Sequence, residues 1–290
     1  MAPFAPKLIL VPVDFGETSA HALRYAGALA ERFSAHLLVI YADAFIPPVD
    51  FTGTPTATFG ISRGAMIDES AEDLIRYAEQ NISPAVPYDT RIVVESPVRA
   101  ILDQAAEAGC DLIVMGTHGR SGVRRLVVGS VTETIMRTSS APVIAVNALS
   151  TESAGVARVL CPVTYTEACR NALRRAAALT DSRKAPLILL RTVTANDARG
   201  TADELMRLRA WVPPELVDRC ELKVIPAHAT ADQILAMANA THADLIAIGA
   251  ERGEGFADTI RGTIAERVVQ HSGCPVLSAN GVAVPAEVLA

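Results

Sequence analysis

The sequence predicts an α/β protein made of two tandem copies of one doubly wound, parallel-sheet domain. Three observations carry that prediction. Short apolar runs such as LILVPV (from Leu8) and LIVM (from Leu112) alternate with longer segments whose apolar residues recur at helical spacing. Half of the 290 residues are apolar while only 4% are aromatic, and alanine is abundant, which fits helices over a parallel sheet better than a sandwich. A long internal repeat then divides the chain.

The first copy reads as follows. Lys7 to Val13 is a fully apolar strand. Thr18 or Ser19 is placed to cap the next helix, whose apolar face is Ala22, Leu23, Ala26, Leu29, Ala30 and Phe33. His36 to Ala42 is a second strand. Asp43 to Gly64, with Pro47, Pro48 and Pro55, reads as irregular and is long for a bare connection, which suggests a functional flap or a mobile loop. A helix follows from about Ala65 to Asn81, then a strand from Asp89 to Val94 and a helix from Pro97 to Ala108. Leu112 to Met115 is the fourth strand and breaks at Gly116. After Gly119 and Gly129 a helix opens at Ser130, with Val131, Ile135 and Thr138 at helical spacing. Pro142 stops it, and PVIAV is the fifth strand.

The pattern then repeats. PVDFGETSAHALRYAGAL from Pro12 recurs as PVTYTEACRNALRRAAAL from Pro162, offset by 150 residues. DLIVMG at Asp111 recurs as DLIAIG at Asp244, offset by 133, and the lost 17 residues are expected mostly in a shortened counterpart of the Asp43–Gly64 loop. Boundaries follow at 1–147 and 156–281, with a linker over 148–155 and a tail over 282–290. The apolar strands beginning at Pro142 and Pro275 would be sticky edges if bare, and the simplest cover is each other.

The stretch DLIVMGTHGRSGVRRLVVGSVTETIMRT carries the chemistry. Glycines allow close backbone approach to an oxyanion, and a helix N-terminus attracts phosphate through unpaired N–H groups and its dipole. Ser130 can cap that helix or bind a phosphate oxygen, and Arg120, Arg124 and Arg125 add positive charge to an acidic protein. The alternative is a βαβ crossover whose glycines only serve turns. Neither G-x-G-x-x-G nor a Walker Gly-Lys-Ser/Thr is present. The stretch resembles the nucleotide-binding universal stress proteins, whose motif is G-x2-G-x9-G-[S/T]; Gly116, Gly119, Gly129 and Ser130 match it without a gap, and the repeat extends the resemblance over nearly the whole chain.

The resemblance implies Rossmann-like (adenine nucleotide alpha hydrolase-like) domains, each a five-stranded parallel sheet of order 3-2-1-4-5 with helices on both faces. It implies an ATP site (or one for ADP or AMP), with Mg²⁺ bridging the phosphates. Asp14 would contact the nucleoside end, and Pro12, Val13 and Ala42 would line the base pocket. Met115 would touch adenine or ribose as well as the core. Gly116, His118, Gly119, Arg120, Gly129, Ser130 and Val131 would hold the phosphates. In the second copy Asp14 becomes Thr164, Gly119 becomes Arg252, and Gly116, Gly129 and Ser130 become Gly249, Gly262 and Thr263. Arg252, Glu251 and Glu254 disfavour a triphosphate, so that copy is expected to be degenerate.

Function classes narrow accordingly. A net charge of −6 argues against nucleic acid as the main partner. Five scattered cysteines without C-x-x-C fit reduced, mostly buried thiols. No apolar run reaches membrane-spanning length, and MAPFAPKLILVPVDF does not read as a signal peptide, so a cytoplasmic location is expected. No metal-type histidine pair or G-x-S-x-G occurs, and Arg174 and Arg175 read as a solvated helix face. The reading is an ATP-binding stress or signalling protein with one competent site. It would form an internal pseudo-dimer or a homodimer and act on an unidentified protein partner. A slow ATPase or phosphotransferase, and a nucleotide-independent scaffold or small-ligand carrier, remain the alternatives; the former lacks a Walker lysine and an evident base.

Overall fold

The structure is a computed structural model that describes residues 4–43, 58–117, 128–150, 154–193, 201–226, 230–250 and 264–280. The first half contains β1 (Leu8–Val13), α1 (Glu17–Phe33), β2 (His36–Ala42), α2 (Thr58–Asn81), β3 (Tyr88–Val93), α3 (Pro97–Glu107), β4 (Leu112–Gly116), α4 (Ser130–Thr138) and β5 (Val143–Val146). The second contains β6 (Val159–Pro162), α5 (Glu167–Ala178), β7 (Leu187–Val193), α6 (Thr201–Trp211), a 3₁₀ turn (Pro214–Arg219), β8 (Cys220–Pro226), α7 (Thr230–Thr241), β9 (Leu245–Ala250), α8 (Ile264–His271) and β10 (Val276–Asn280).

All ten strands join one sheet in the order β3-β2-β1-β4-β5-β10-β9-β6-β7-β8. Each half is therefore a parallel 3-2-1-4-5 unit, and the halves meet where β5 pairs antiparallel with β10, Ile144 opposite Leu277. The two apolar strands thus cover one another's edges. Period-2 alternation splits the strand residues between two cores: Ile9, Val11 and Val13 pack with α1 and α2, while Leu10 faces α3 and α4. Both cores continue across the β5–β10 joint, through Val146 and Leu277 on one face and Val143 and Val276 on the other.

The repeated Asp-Leu-Ile has a mechanical cause. Asp111 Oδ2 accepts hydrogen bonds from the Lys7 and Leu8 amides at 2.8 and 3.0 Å, and Asp244 Oδ2 does the same for Ala157 and Arg158 at 3.0 and 2.8 Å. Each carboxylate pins the start of its half's central strand beside the fourth. At the junction, buried Asn147 donates to the carbonyls of Val269 and Ser272, both at 2.9 Å, and accepts from the Leu149 and Ser150 amides. Arg32 of α1 reaches Asp181 at 2.7 Å, tying the halves together on the α1 face.

Several expectations shift. Helix α2 begins at Thr58, inside the stretch expected to be irregular; Gly60 and Gly64 cost helix propensity, but the 24-residue helix carries them. Because α6 has only 11 residues, much of the length lost in the second half is helix rather than loop. The N-cap of α1 is Gly16 with no side-chain cap, so Thr18 and Ser19 lie inside the helix. In α4 the buried face is Thr132, Ile135 and Met136, one position out of phase with the Val131–Ile135–Thr138 reading. Arg174 and Arg175 are not a free solvated face: Arg174 pairs with Glu215 at 2.9 Å, and the Arg175 guanidinium stacks 4.7 Å from the Phe4 ring. The cysteines are all free thiols, four buried and Cys220 half-buried.

Candidate nucleotide site

The register brings two sequence-distant elements to one sheet end. Strand β1 lies between β2 and β4, with Val13 opposite Tyr41 and Leu10 opposite Ile113. Asp14 follows β1, Ala42 closes β2 and Gly116 closes β4, so all three stand at the carboxyl edge where a doubly wound sheet offers its crevice.

Asp14 sits on a tight corner. Phe15 takes a positive φ of 61°, and Asp14 Oδ1 accepts the Gly16 amide at 3.0 Å. The corner is held from α2: Tyr77 Oη donates to the Gly16 carbonyl at 2.8 Å and lies 2.9 Å from Ser19 Oγ, which itself donates to that carbonyl at 3.0 Å. Phe15 packs its ring 4.8 Å from Tyr41 and 5.3 Å from Tyr77. These contacts offset the cost of a left-handed non-glycine residue.

Gly116 is glycine for packing. A Cβ there would lie 3.0 Å from the Thr18 backbone, so α1 rests directly on the end of β4. The start of α4 is fixed to the same strand: the Gly129 amide donates to the Thr117 carbonyl at 2.7 Å, and Thr132 Oγ1 donates to the Gly116 carbonyl at 2.8 Å. The N-cap of α4 is Gly129, which provides no side-chain cap, and Ser130 is the exposed first helical residue. Ser130 therefore does not cap the helix. The first-turn N–H groups are left for an acceptor at the crevice, which suits an anionic group.

Pro12 and Ala42 are half-buried, Val13 is buried, and Met115 is 4% exposed, a core residue of the α3–α4 face. Val131 is half-buried. Asp14, Gly116, Gly129 and Ser130 are thus brought to one edge; His118, Gly119 and Arg120 lie outside the described residues. Reading the sequence missed Tyr77 and Thr132, and gave Ser19 only a capping role. A tyrosine on the apolar stripe of α2 was the only signal for Tyr77, and it looks like core.

The second half reuses the corner with other chemistry. Tyr165 has φ 62°, as Phe15 does, but Thr164 stands for Asp14, and Thr166 caps α5 by accepting the Cys169 amide at 3.2 Å. The β6–β7 register ends with Pro162 opposite Leu190, so Arg191 comes one residue beyond it, where the first half pairs Tyr41 with Val13. Arg191 Nε donates to Glu204 Oε1 at 2.9 Å, Tyr165 Oη donates to the same oxygen at 2.8 Å, and Arg191 also reaches the Val163 carbonyl at 3.2 Å. Burial pushes the Glu204 carboxyl up, but the Tyr165 and Arg191 hydrogen bonds and the Arg191 and Arg207 charges outweigh it and hold it below the usual range. The counterparts Arg252, Gly262 and Thr263, with Glu251 and Glu254, lie outside the described residues. Among the described residues no group of three or more potential metal ligands occurs, and no helix is long and apolar enough to cross a membrane.

Comparison with known proteins identifies the family. The family model described as the universal stress protein family matches residues 6–147 and 214–279. A universal stress protein of Thermus aquaticus is 32% identical over 141 residues, 48% of this chain and 98% of that protein. One from Methanocaldococcus jannaschii is 29% identical over 141 residues, 48% of this chain and 81% of its own length. The crystal structure of a universal stress protein from Archaeoglobus fulgidus superposes with a TM-score of 0.71 at 19% identity, covering 96% of this chain and all of that one, which shows the tandem fold. The chain belongs to the universal stress protein family.

Proposed function

We propose that this protein binds ATP, or ADP or AMP, at one site in its first half and uses occupancy to signal in a stress response. The observation that carries the reading is the shared edge: the Asp14 corner and the uncapped N-terminus of α4 open at the carboxyl ends of adjacent strands. Asp14, with Pro12, Val13 and Ala42, would receive the nucleoside. The phosphates would lie on Gly129, Ser130 and Val131, completed by Gly116, His118, Gly119 and Arg120, with Mg²⁺ bridging their oxygens through mostly water ligands. Met115, being buried, would contact the ligand only through its edge of the core. The proposed units are 1–147 and 156–281, joined by 148–155 and followed by a tail over 282–290. They would act as an internal pseudo-dimer in the cytoplasm, with a protein partner reading the bound state.

Titration calorimetry with Mg-ATP tests this. One site per chain is expected, and Asp14→Ala should weaken it by about 10- to 150-fold, the cost of a charged hydrogen bond of about 1.5–3 kcal/mol. Two equivalent sites would overturn the asymmetry, and no binding would favour a nucleotide-independent scaffold. Turnover lost in the same variant would indicate the ATPase reading.

A further inference from the structure

The second half places two cysteines in contact where the first half has none. Cys161 is on β6 and Cys169 is in the first turn of α5, and their sulfurs are 4.0 Å apart with both residues fully buried. Their counterparts at the 150-residue offset are Val11 and Ser19. The ordinary reading is that both are small core residues. Three features go beyond it.

First, the two sulfurs face each other and share an acceptor: Cys169 Sγ lies 3.2 Å and Cys161 Sγ 4.0 Å from the Pro162 carbonyl. Second, Cys169 occupies the place of Ser19, whose Oγ accepts the Asp14 amide at 3.4 Å. In the second half that amide belongs to Thr164. The Cys161 thiol, the Thr164 amide and hydroxyl, and the Gly249 amide together pull the Cys169 thiol below its ordinary range, while Cys161 is held well above its own. Third, the change from Asp14 to Thr164 removes a carboxylate that would oppose a thiolate here and supplies a hydroxyl donor instead. The site is also near a helix N-terminus, which favours a thiolate.

We propose that Cys161 and Cys169 form an oxidisable dithiol at which a small hydroperoxide drives an intramolecular disulfide, Cys169 attacking and Cys161 resolving. The Cys169 thiolate attacks a peroxide oxygen, the O–O bond breaks, and a sulfenic acid and hydroxide form. The Cys161 sulfur then loses its proton and attacks the Cys169 sulfur. The S–S bond forms, the S–O bond breaks, and hydroxide takes up the proton as water. Two thiols and one hydrogen peroxide give one disulfide and two waters. The sulfurs need to close from 4.0 Å to about 2.05 Å for the bond to form. Full burial selects the oxidant: hydrogen peroxide enters through local opening, whereas a bulky disulfide reagent does not reach either sulfur in the folded chain.

The test needs no nucleotide, so its outcome is separate from the ATP reading. The reduced full chain is treated with hydrogen peroxide, unfolded, alkylated and mapped by mass spectrometry. A product lighter by two hydrogens is expected, with one linked peptide pair containing Cys161 and Cys169. Burial pushes Cys110 and Cys220 up to about 11 and Cys274 to about 12, so these three serve as internal controls and should stay alkylatable when the Cys161–Cys169 pair is linked. Cys161→Ser should stop at oxygen adducts on Cys169, and Cys169→Ser should leave Cys161 alkylatable. The bulky reagent 5,5′-dithiobis(2-nitrobenzoate) should label neither residue in the folded wild type. Full alkylation of both residues in the peroxide-treated wild type, oxygen addition without linkage, or linkage to another cysteine would each overturn the proposal.

Discussion

The corner after β1 and the corner after β6 share one backbone and hold it by opposite means. Phe15 and Tyr165 both sit near φ 60°, each followed by an α-helix in the same register. In the first half the support is neutral: Tyr77 and Ser19 bond the Gly16 carbonyl, and Phe15 packs between Tyr41 and Tyr77. In the second it is charged: Glu204 joins Tyr165 to Arg191, and the guanidinium groups of Arg191 and Arg207 lie 4.9 and 4.2 Å from the Tyr165 ring. The left-handed corner is thus a property of the fold, while the side chains that secure it differ between the halves. The first half has Asp14 at the corner, its Oδ1 accepting the Gly16 amide, and the second half has Thr164 there, beside an internal ion pair and a thiol pair.

The glycines at the end of β4 and next to the end of β9, Gly116 and Gly249, give the sharpest way to break this parallel. A Cβ on Gly249 would fall 2.3 Å from the Cys169 amide nitrogen and 2.6 Å from its Cα, while one on Gly116 meets Thr18 backbone at 3.0 Å. Gly249→Ala should therefore cost about 3 kcal/mol or more, because backbone rather than a flexible side chain has to move, and Gly116→Ala about 1–2 kcal/mol. Thermal unfolding of the two variants side by side checks the order. Equal losses would mean that α1 and α5 rest on their strands equally closely.

Next in size is the charged support. Among the described residues, Arg191→Met leaves the Glu204 carboxylate, 2% exposed, with the Tyr165 hydroxyl and Arg207 at 3.9 Å. A loss of about 2–3 kcal/mol is expected, less than for a fully orphaned buried charge because those two partners stay. The pH dependence has a definite sign. The folded Glu204 carboxyl lies below its ordinary value of 4.5, so its contribution is complete above that value and is lost as pH falls through the lower folded one. Glu204→Gln should remove this acid-side loss while leaving the first half's corner untouched. A variant with the wild-type acid profile would show that Glu204 is not the group responsible.

What the sequence disclosed and what it withheld follow from range. Strand and helix order was legible because burial on both faces makes β1 a short, wholly apolar run and burial on one face gives α1 a helical stripe. The repeat of Asp-Leu-Ile marked the carboxylates that pin β1 and β6. That Asp14, Gly116, Gly129 and Ser130 stand at strand and helix ends was legible from the element order, whereas the contact of Thr18 with Gly116 was not. Tyr77 and Glu204 were not legible, since each reaches its corner from a helix whose length and phase differ between the halves. The Cys161–Cys169 pair was hidden for another reason. Its spacing matches no short motif, yet a strand, a tight corner and one helical turn bring residues eight apart into contact.

The smallest expected effect tests whether the start of α4 is positioned by the strand beside it. Thr132 Oγ1 donates to the Gly116 carbonyl at 2.8 Å, and its counterpart at the 133-residue offset is Ala265, which has no hydroxyl to offer Gly249. Thr132→Ala copies the second half into the first. It removes one partly buried hydrogen bond, so stability should fall by about 1 kcal/mol. If the N–H groups of Ser130 and Val131 receive phosphate, loosening the turn behind them should also weaken ATP by a few-fold, roughly what a loss of 0.5–1 kcal/mol of positioning gives. Thr132→Ser keeps the donor while removing a methyl, so it should restore affinity even though the core loses packing. Stability and affinity therefore separate: the serine variant should be destabilised yet bind like wild type, and the alanine variant should lose both. If serine and alanine weakened binding equally, packing of the methyl group rather than the hydrogen bond would be what holds the α4 N-terminus in place.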